Sequence, residues 1–253
     1  MLGLPAGIRA CLFDVDGVLT ETAIVHRAAW RRTFDAFLQE YPGLTPEQFA
    51  PFTDADYNAH VDGKPRKNGV RDFLASRGIT LPEGSPSDPV DAATVEGVAN
   101  RKNVLVLAEL AEHGVTPYPG SLRYLVAVRA AGLRIAAVTA SANGEQVIEA
   151  GGFTEFCEAR IDGIVAEREN LRGKPAPDPF LAGARALGVE ASQAAVFEDA
   201  ISGVQAGRAG GFGFVIGVNR VGQAAALREH GADIVVDDLA ELLEASSAPG
   251  DHA

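Results

Sequence analysis

The sequence predicts an α/β fold in which parallel strands form a core and a helical domain is inserted after the first strand. Short runs that are apolar on both faces, typical of buried parallel strands, alternate with amphipathic stretches along most of the chain. Between about residues 21 and 115 the alternation stops, and helical periodicity with breaker-rich segments replaces it. A length of 253 residues allows one large domain or two smaller ones.

Apolar runs predict five buried strands and a weaker sixth, with helices between them. The strands are Ala10–Phe13, Arg134–Val138, Ala159–Ile164 (the weaker run), Ala194–Phe197, Phe212–Val218 and Ile234–Val236. The core helices are Ser121–Ala131, Pro179–Leu187 and Gly203–Ala209, and the inserted ones are Ile24–Phe37 and Val95–Glu112. The predicted domains are therefore a core of residues 1–20 and 116–245, a helical insertion of residues 21–115, and a disordered tail of residues 246–253.

Charge and composition exclude several classes of partner. The formal net charge of −12 argues against electrostatic binding to nucleic acid or to an anionic membrane, although solubility alone explains such acidity. A small anionic substrate stays compatible with it. Cys11 and Cys157 lack the spacing of metal ligands, and no signal peptide or run of roughly 20 apolar residues is found. We expect a cytoplasmic monomer.

A pair of aspartates directly follows the first predicted strand. Asp14 and Asp16 are two residues apart, and Gly17 then breaks the run. Because side chains at i and i+2 leave the same face of a strand, two carboxylates are expected side by side. Like charges at that range repel unless a metal ion, a shared proton or a cationic side chain stabilises them. The pair therefore favours a functional site over a surface turn.

Three further clusters lie near other strand ends or loops. Glu198 and Asp199 end a later strand, although such a pair also fits a helix N-terminus. Lys174 lies between a glycine and a proline-rich stretch that restrains its backbone, although most lysines in such loops are simply exposed. Residues 139–144 offer hydroxyls at a helix start, which suits either an oxyanion or an ordinary N-cap. Since ligands of open α/β sheets bind beyond the carboxyl ends of strands, these clusters can meet there.

The charges of these clusters indicate a metal ion. Four carboxylates and one lysine leave a formal charge of −3, which a divalent cation reduces to −1. An anionic phosphoryl group can then approach a carboxylate. A few oxygen ligands beside a phosphate indicate Mg²⁺.

The four clusters, in this order, resemble the signature of the haloacid dehalogenase superfamily, and the insertion after the first motif resembles its helical-cap subclass. The resemblance implies a parallel-sheet, Rossmann-like core with an inserted α-helical cap domain, and Mg²⁺-dependent phosphoryl transfer. In it Asp14 is the nucleophile and Asp16 the general acid and base, while Thr139 and Lys174 stabilise the phosphoryl oxygens. The implied metal ligands are Asp14, the main-chain carbonyl of Asp16, Glu198 and Asp199.

A narrower resemblance is to the β-phosphoglucomutase family. The segments that carry it are Asp14–Thr22 with His26 and Trp30, Gly63–Arg66, Arg101–Asn103, Thr139–Gly144, Gly173–Asp178 and Phe197–Gly203. It implies a sugar-phosphate substrate, with β-glucose 1-phosphate converted to glucose 6-phosphate. The alternative is a sugar-phosphate phosphatase of the same superfamily.

The same resemblance assigns substrate contacts to both domains. They are Thr22, His26, Trp30, Gly63, Lys64, Arg66 and Lys102 in the cap, and Ala140, Ser141 and Asn143 in the core. Trp30 is equally well explained by packing, and Thr22 by a helix N-cap. Asp62 and Ala142 depart from the family, because both stand where its best-known members carry a lysine.

Overall fold

A computed structural model describes residues 2–42, 45, 46 and 48–244 of the chain. Its strands are β1 (Ala10–Phe13), β2 (Arg134–Val138), β3 (Ala159–Ile161), β4 (Ala194–Glu198), β5 (Phe214–Val218) and β6 (Ile234–Val236). They form one parallel sheet in the order β3-β2-β1-β4-β5-β6. The predicted α/β fold class is confirmed, and each of the six predicted strands is present.

Some helices connect the strands of the parallel sheet, and others build the segment inserted after the first strand. In chain order they are α1 (Thr22–Glu40), α2 (Asp54–Asp56, followed by a π-helical turn at Tyr57–Val61), α3 (Arg66–Ser76), α4 (Val95–His113), α5 (Pro119–Ala130), α6 (Gly144–Ala150), α7 (Gly163–Arg168), α8 (Asp178–Ala186), α9 (Ile201–Ala209), α10 (Ala224–Glu229) and α11 (Glu241–Glu244). Within the described ranges, no helix has the length and apolar character needed to cross a membrane.

The chain divides into two compact units. We call Met1–Glu21 with Thr116–Ala253 the core unit, and Thr22–Val115 the cap unit. The predicted cap of residues 21–115 differs from the cap unit only at Glu21, which belongs to the core unit. The predicted disordered tail of residues 246–253 lies outside the described residues.

The register of the central strands brings three carboxyl ends to one level. Every residue of β1 is buried, as expected of a strand that is covered on both faces. Phe13, its last residue, is opposite Ala137 of β2 and Phe197 of β4. The residues that follow these three strands therefore meet at the same edge of the sheet, although they are far apart in sequence.

The cap unit is built around an aromatic cluster. The rings of Trp30 and Phe34 on α1 stack with centroids 4.9 Å apart, and the Phe34 and Phe73 centroids are 4.1 Å apart. Phe73 belongs to α3, a helix that the sequence analysis did not predict because few of its residues are apolar. Gly69 lets α3 pack closely, since a Cβ there would lie 3.1 Å from Val61. Tertiary packing stabilises this helix more than its own sequence does.

Candidate active site

A buried aspartate and a buried lysine form the centre of the candidate site. Asp14 directly follows β1 and is 6% exposed, and Lys174 is 2% exposed. Lys174 Nζ donates to Asp14 Oδ1 and to Glu198 Oε1, each at 2.5 Å. Glu198 is the last residue of β4, the neighbour of β1, and its Oε2 accepts a hydrogen bond from the Ala200 amide at 2.9 Å. The lysine thus links two carboxylates from adjacent strand ends.

Burial and charge oppose each other at this centre. Burial raises the pKa of Asp14 well above its usual range, the Lys174 charge lowers it, and the charges of Glu198 and Asp16 raise it further. Burial alone would lower the pKa of Lys174, but the charges of Asp14 and Glu198 and their hydrogen bonds raise it above its ordinary value. Lys174 therefore stays charged and favours the ionised form of Asp14.

The carboxylate of Asp16 is held by a residue that follows β2, a neighbour of β1. Thr139 follows β2, and its hydroxyl donates to Asp16 Oδ2 at 3.0 Å while accepting from the Ser141 amide at 3.0 Å. Ser141 Oγ in turn accepts from the Asn143 amide at 3.2 Å, and α6 begins one residue later. Ala140, between Thr139 and Ser141, is half-buried. The hydroxyls predicted to face an oxyanion therefore lie beside Asp16 and also order the start of α6.

Three carboxylates offer a set of ligands for a metal ion. One oxygen each from Asp14, Glu198 and Asp199 lies within 4.8 Å of the others, and all three side chains are buried. Buried carboxylate oxygens that converge in this way fit a hard divalent cation. A cation here would offset the repulsion among the three groups, which Lys174 offsets only in part. The Asp16 carboxylate is not one of these three ligands.

In the cap unit, three of the predicted substrate contacts lie together. Lys102 Nζ is 2.6 Å from His26 Nδ1 and 5.2 Å from the centroid of the Trp30 ring. Lys102 and Trp30 are 5% and 3% exposed. Trp30 also packs in the aromatic cluster, which agrees with the packing explanation, and its contact with substrate stays a prediction. Thr22, buried, is the first residue of α1.

The remaining predicted cap contacts lie just before α3 and at its start. Gly63 has φ of +68°, the left-handed conformation that glycine favours. Lys64 Nζ donates to Asp72 at 2.7 Å and to the Ala59 carbonyl at 3.2 Å. Arg66 is the first residue of α3 and is half-buried. Lys64 therefore already pairs with a carboxylate within its own unit.

Two side chains of the site were not named from the sequence. Arg220 Nε donates to the Gly17 carbonyl at 2.7 Å, and Gln223 Nε2 donates to the Asp199 carbonyl at 2.8 Å. Both follow β5, so the strand-end rule that identified Thr139 and Glu198 covers this loop as well. Its residue types gave no chemical reason to select it.

Residues 8–211 match the family of haloacid dehalogenase-like hydrolases, and the chain belongs to that family. The resemblance stated from the sequence is thereby confirmed.

Individual relatives narrow the comparison. The chain is 55% identical over 247 residues to a β-phosphoglucomutase of Mycobacterium bovis, which covers 96% of this chain and 94% of the relative. CbbY from Rhodobacter sphaeroides, crystallised in complex with phosphate, matches with a TM-score of 0.69 and 26% identity, over 93% of this chain and 96% of that one. A β-phosphoglucomutase from Clostridium difficile has the same fold, with a TM-score of 0.72 at 24% identity over 93% of each chain.

Proposed function

We propose that this protein is a β-phosphoglucomutase that converts β-glucose 1-phosphate to glucose 6-phosphate. The choice of substrate is supported by the 55% identity to the M. bovis enzyme over nearly the whole chain. One observation supports the phosphoryl chemistry above all others. Asp14 is buried at the end of the central strand, and an ammonium group lies 2.5 Å from one of its oxygens. That pairing orients the nucleophile and opposes the effect of burial, which favours the protonated carboxyl.

In this proposal Asp14 attacks phosphorus. One carboxylate oxygen of Asp14 bonds to phosphorus, the bond from phosphorus to the sugar oxygen breaks, and an aspartyl phosphate forms. A covalent intermediate divides one difficult step into two easier ones. Lys174 and Thr139 stabilise the charge on the phosphoryl oxygens, and such preorganised donors supply much of an enzyme's rate enhancement.

Asp16 carries the proton. It protonates the sugar oxygen as that oxygen leaves, and it accepts a proton from the sugar hydroxyl that attacks the aspartyl phosphate in the second half-reaction. The two transfers balance over a full cycle. The hydroxyl of Thr139, 3.0 Å from Asp16 Oδ2, orients the carboxylate for both.

We assign the cation as Mg²⁺, held by Asp14, Glu198, Asp199 and the main-chain carbonyl of Asp16. When bound, Mg²⁺ offsets the negative charge that carboxylates and phosphoryl group bring together. Few ligands, all of them oxygen, suit Mg²⁺, which keeps several of its waters.

The cap unit supplies the contacts that distinguish transfer from hydrolysis. A mutase must bind a sugar that carries phosphate at both ends, so it needs a second anion site. We assign that site to Arg66 and Lys64, whose turn includes Gly63, because arginine binds phosphate in a bidentate manner. We further assign sugar contacts to Thr22, His26, Trp30 and Lys102 in the cap, and phosphoryl contacts to Ala140, Ser141 and Asn143 in the core.

The second candidate is a sugar-phosphate phosphatase with the same first half-reaction. The family match supports it, because that family is described as hydrolases. In that case water, rather than a sugar hydroxyl, attacks the aspartyl phosphate.

Product analysis distinguishes the two candidates. β-Glucose 1-phosphate is supplied with Mg²⁺ and a trace of glucose 1,6-bisphosphate as primer, and glucose 6-phosphate and inorganic phosphate are both measured. The mutase proposal expects glucose 6-phosphate as the main product, and no product from an Asp14→Asn variant. A Glu155→Gln variant, which alters an exposed ion pair with Arg129, is the control and should match the wild type. Inorganic phosphate without glucose 6-phosphate would refute the mutase.

The other expectations from the sequence stay predictions. They are a monomer in the cytoplasm and the absence of nucleic-acid and membrane partners. Sedimentation of the purified protein tests directly whether it is a monomer.

A further inference from the structure

The loop that follows β5 contacts two parts of the candidate site. Arg220 Nε donates to the carbonyl of Gly17, which is next to Asp16, at 2.7 Å. Gln223 Nε2 donates to the main-chain carbonyl of Asp199 at 2.8 Å. One short loop therefore binds the backbone of the Asp-x-Asp segment and the backbone of a candidate metal ligand.

The side chain of Asp199 lies directly against Gly17. Gly17 has φ of +93°, and a Cβ placed on it would lie 1.9 Å from Asp199 Oδ2. No side chain fits between the Asp-x-Asp loop and that carboxylate. A small shift of either segment therefore changes where the Asp199 oxygens lie relative to Asp14.

Three contacts in different directions fix the guanidinium of Arg220. Besides Gly17, it donates from Nη1 to the Asp237 carbonyl at 2.8 Å, and its Cζ lies 3.6 Å from the centroid of the Tyr118 ring. A planar guanidinium can donate at its edge and stack on its face at the same time. A lysine ammonium keeps the charge but cannot reproduce both kinds of contact.

The loop itself is held in place by its first residue. Asn219 Oδ1 accepts a hydrogen bond from the main-chain N–H of Gln223 at 2.7 Å, and Asn219 Nδ2 donates to Asp237 Oδ1 at 2.7 Å. Its own amide donates to the Val236 carbonyl at 2.8 Å, at the end of β6. Arg220 and Gln223 thus extend from a loop anchored to the neighbouring strand.

We infer that Arg220 and Gln223 are positioning residues, which hold Gly17 and Asp199 against each other and so set the geometry of the cation site. The inference rests on the proposed function, in which that site binds Mg²⁺. Neither residue needs to touch substrate or cation. Groups that orient metal ligands in this way affect metal affinity by about 10- to 100-fold when they are removed.

The test measures Mg²⁺ binding by calorimetry on the whole protein without substrate. Arg220→Met and Gln223→Glu should each weaken Mg²⁺ binding by about tenfold or more, and Arg220→Lys should recover part of the loss. Arg129→Met is the matched control, because Arg129 also lies over a ring, that of Phe156 at 5.7 Å, and pairs with Glu155. It should bind Mg²⁺ as the wild type does.

A second measurement needs no metal. In EDTA, amide hydrogen exchange of the peptide that covers residues 14–20 should be faster in Arg220→Met than in wild type and control. The Gly17 carbonyl has lost the hydrogen bond from Arg220, so this segment should open more often. A residue with a purely structural role would lower the melting temperature and leave both readouts unchanged. Gln223→Glu, close to isosteric, keeps the inference testable if Arg220→Met does not fold.

The outcomes separate this inference from the proposed function. If the wild type binds Mg²⁺ and forms glucose 6-phosphate while the Arg220 and Gln223 variants bind Mg²⁺ equally well, the inference alone is overturned. A wild type that binds no Mg²⁺ would overturn the inference and the cation assignment together.

Discussion

Gly203→Ala is the substitution whose effect follows most directly from the geometry. Gly203 lies in α9, and a Cβ on it would be 1.8 Å from Glu198 Oε1 and 1.9 Å from Glu198 Cδ. Its φ is not in the left-handed region, so alanine can adopt its backbone conformation. The conflict is purely steric, and Glu198, fully buried, must move away from Lys174.

The change in the free energy of unfolding caused by Gly203→Ala follows from two opposing effects. Alanine favours a helix over glycine by about 1 kcal/mol. Breaking a buried ion pair costs roughly 3–5 kcal/mol. The free energy of unfolding should therefore fall by about 2–4 kcal/mol, which lowers the melting temperature by roughly 4–16 °C for a chain of this size. Mg²⁺-dependent turnover should fall as well, because the proposed metal ligand is displaced.

Thermal unfolding followed by circular dichroism in EDTA measures the stability change, and the product assay measures turnover. Gly207→Ala is the matched control in the same helix, since the nearest atom to its Cβ would be Val215 Cγ2 at 3.1 Å, a contact that a small shift relieves. We expect that control to stay within about 1 kcal/mol of the wild type. The reasoning fails if Gly203→Ala is as stable and active as the wild type, or if both variants lose equally.

Three further predictions concern other groups. Thr139→Val removes a donor to the Asp16 carboxylate, which is worth about 1.5–3 kcal/mol, so kcat/KM should fall by roughly 10- to 150-fold, and an unchanged value would refute the role of the hydroxyl. Lys174→Met should lower the free energy of unfolding in EDTA by about 3 kcal/mol at neutral pH. Losing the ammonium raises the pKa of Asp14 further, so the loss of stability should shrink as the pH falls and the Asp14 carboxyl takes up a proton. Equal losses of stability at neutral and acidic pH would contradict this prediction. Burial raises the pKa of Asp56, but hydrogen bonds from Thr53 outweigh that effect and lower the pKa below its ordinary value. The ionised Asp56 therefore stabilises the folded state above the unfolded-state pKa, and this stability is lost as the pH falls through the folded-state pKa. The free energy of unfolding should therefore fall less steeply with decreasing pH in Asp56→Asn than in the wild type.

The local pattern of the sequence was enough to predict the strands, and the reaction class followed from the resemblance of four ordered motifs to a known family. Buried runs such as Ala10–Phe13 and Arg134–Val138 are apolar at every position that the sheet covers, so their period and composition identify them without tertiary information. Asp14 and Asp16 likewise indicated a functional site locally, because two carboxylates after a buried strand require a stabilising partner.

Long-range packing decided the rest. Lys174 reaches Asp14 across 160 positions and Arg220 reaches Gly17 across 203, distances that no local pattern encodes. Only the strand order places β1 between β2 and β4 and so brings Thr139 and Glu198 to the aspartates. Helix α3 also lies beyond a local prediction, because its stability comes from burying Phe73 against α1 rather than from its own residues. Residue type is a property of the sequence, whereas which charges share a buried site depends on the packing of the whole sheet.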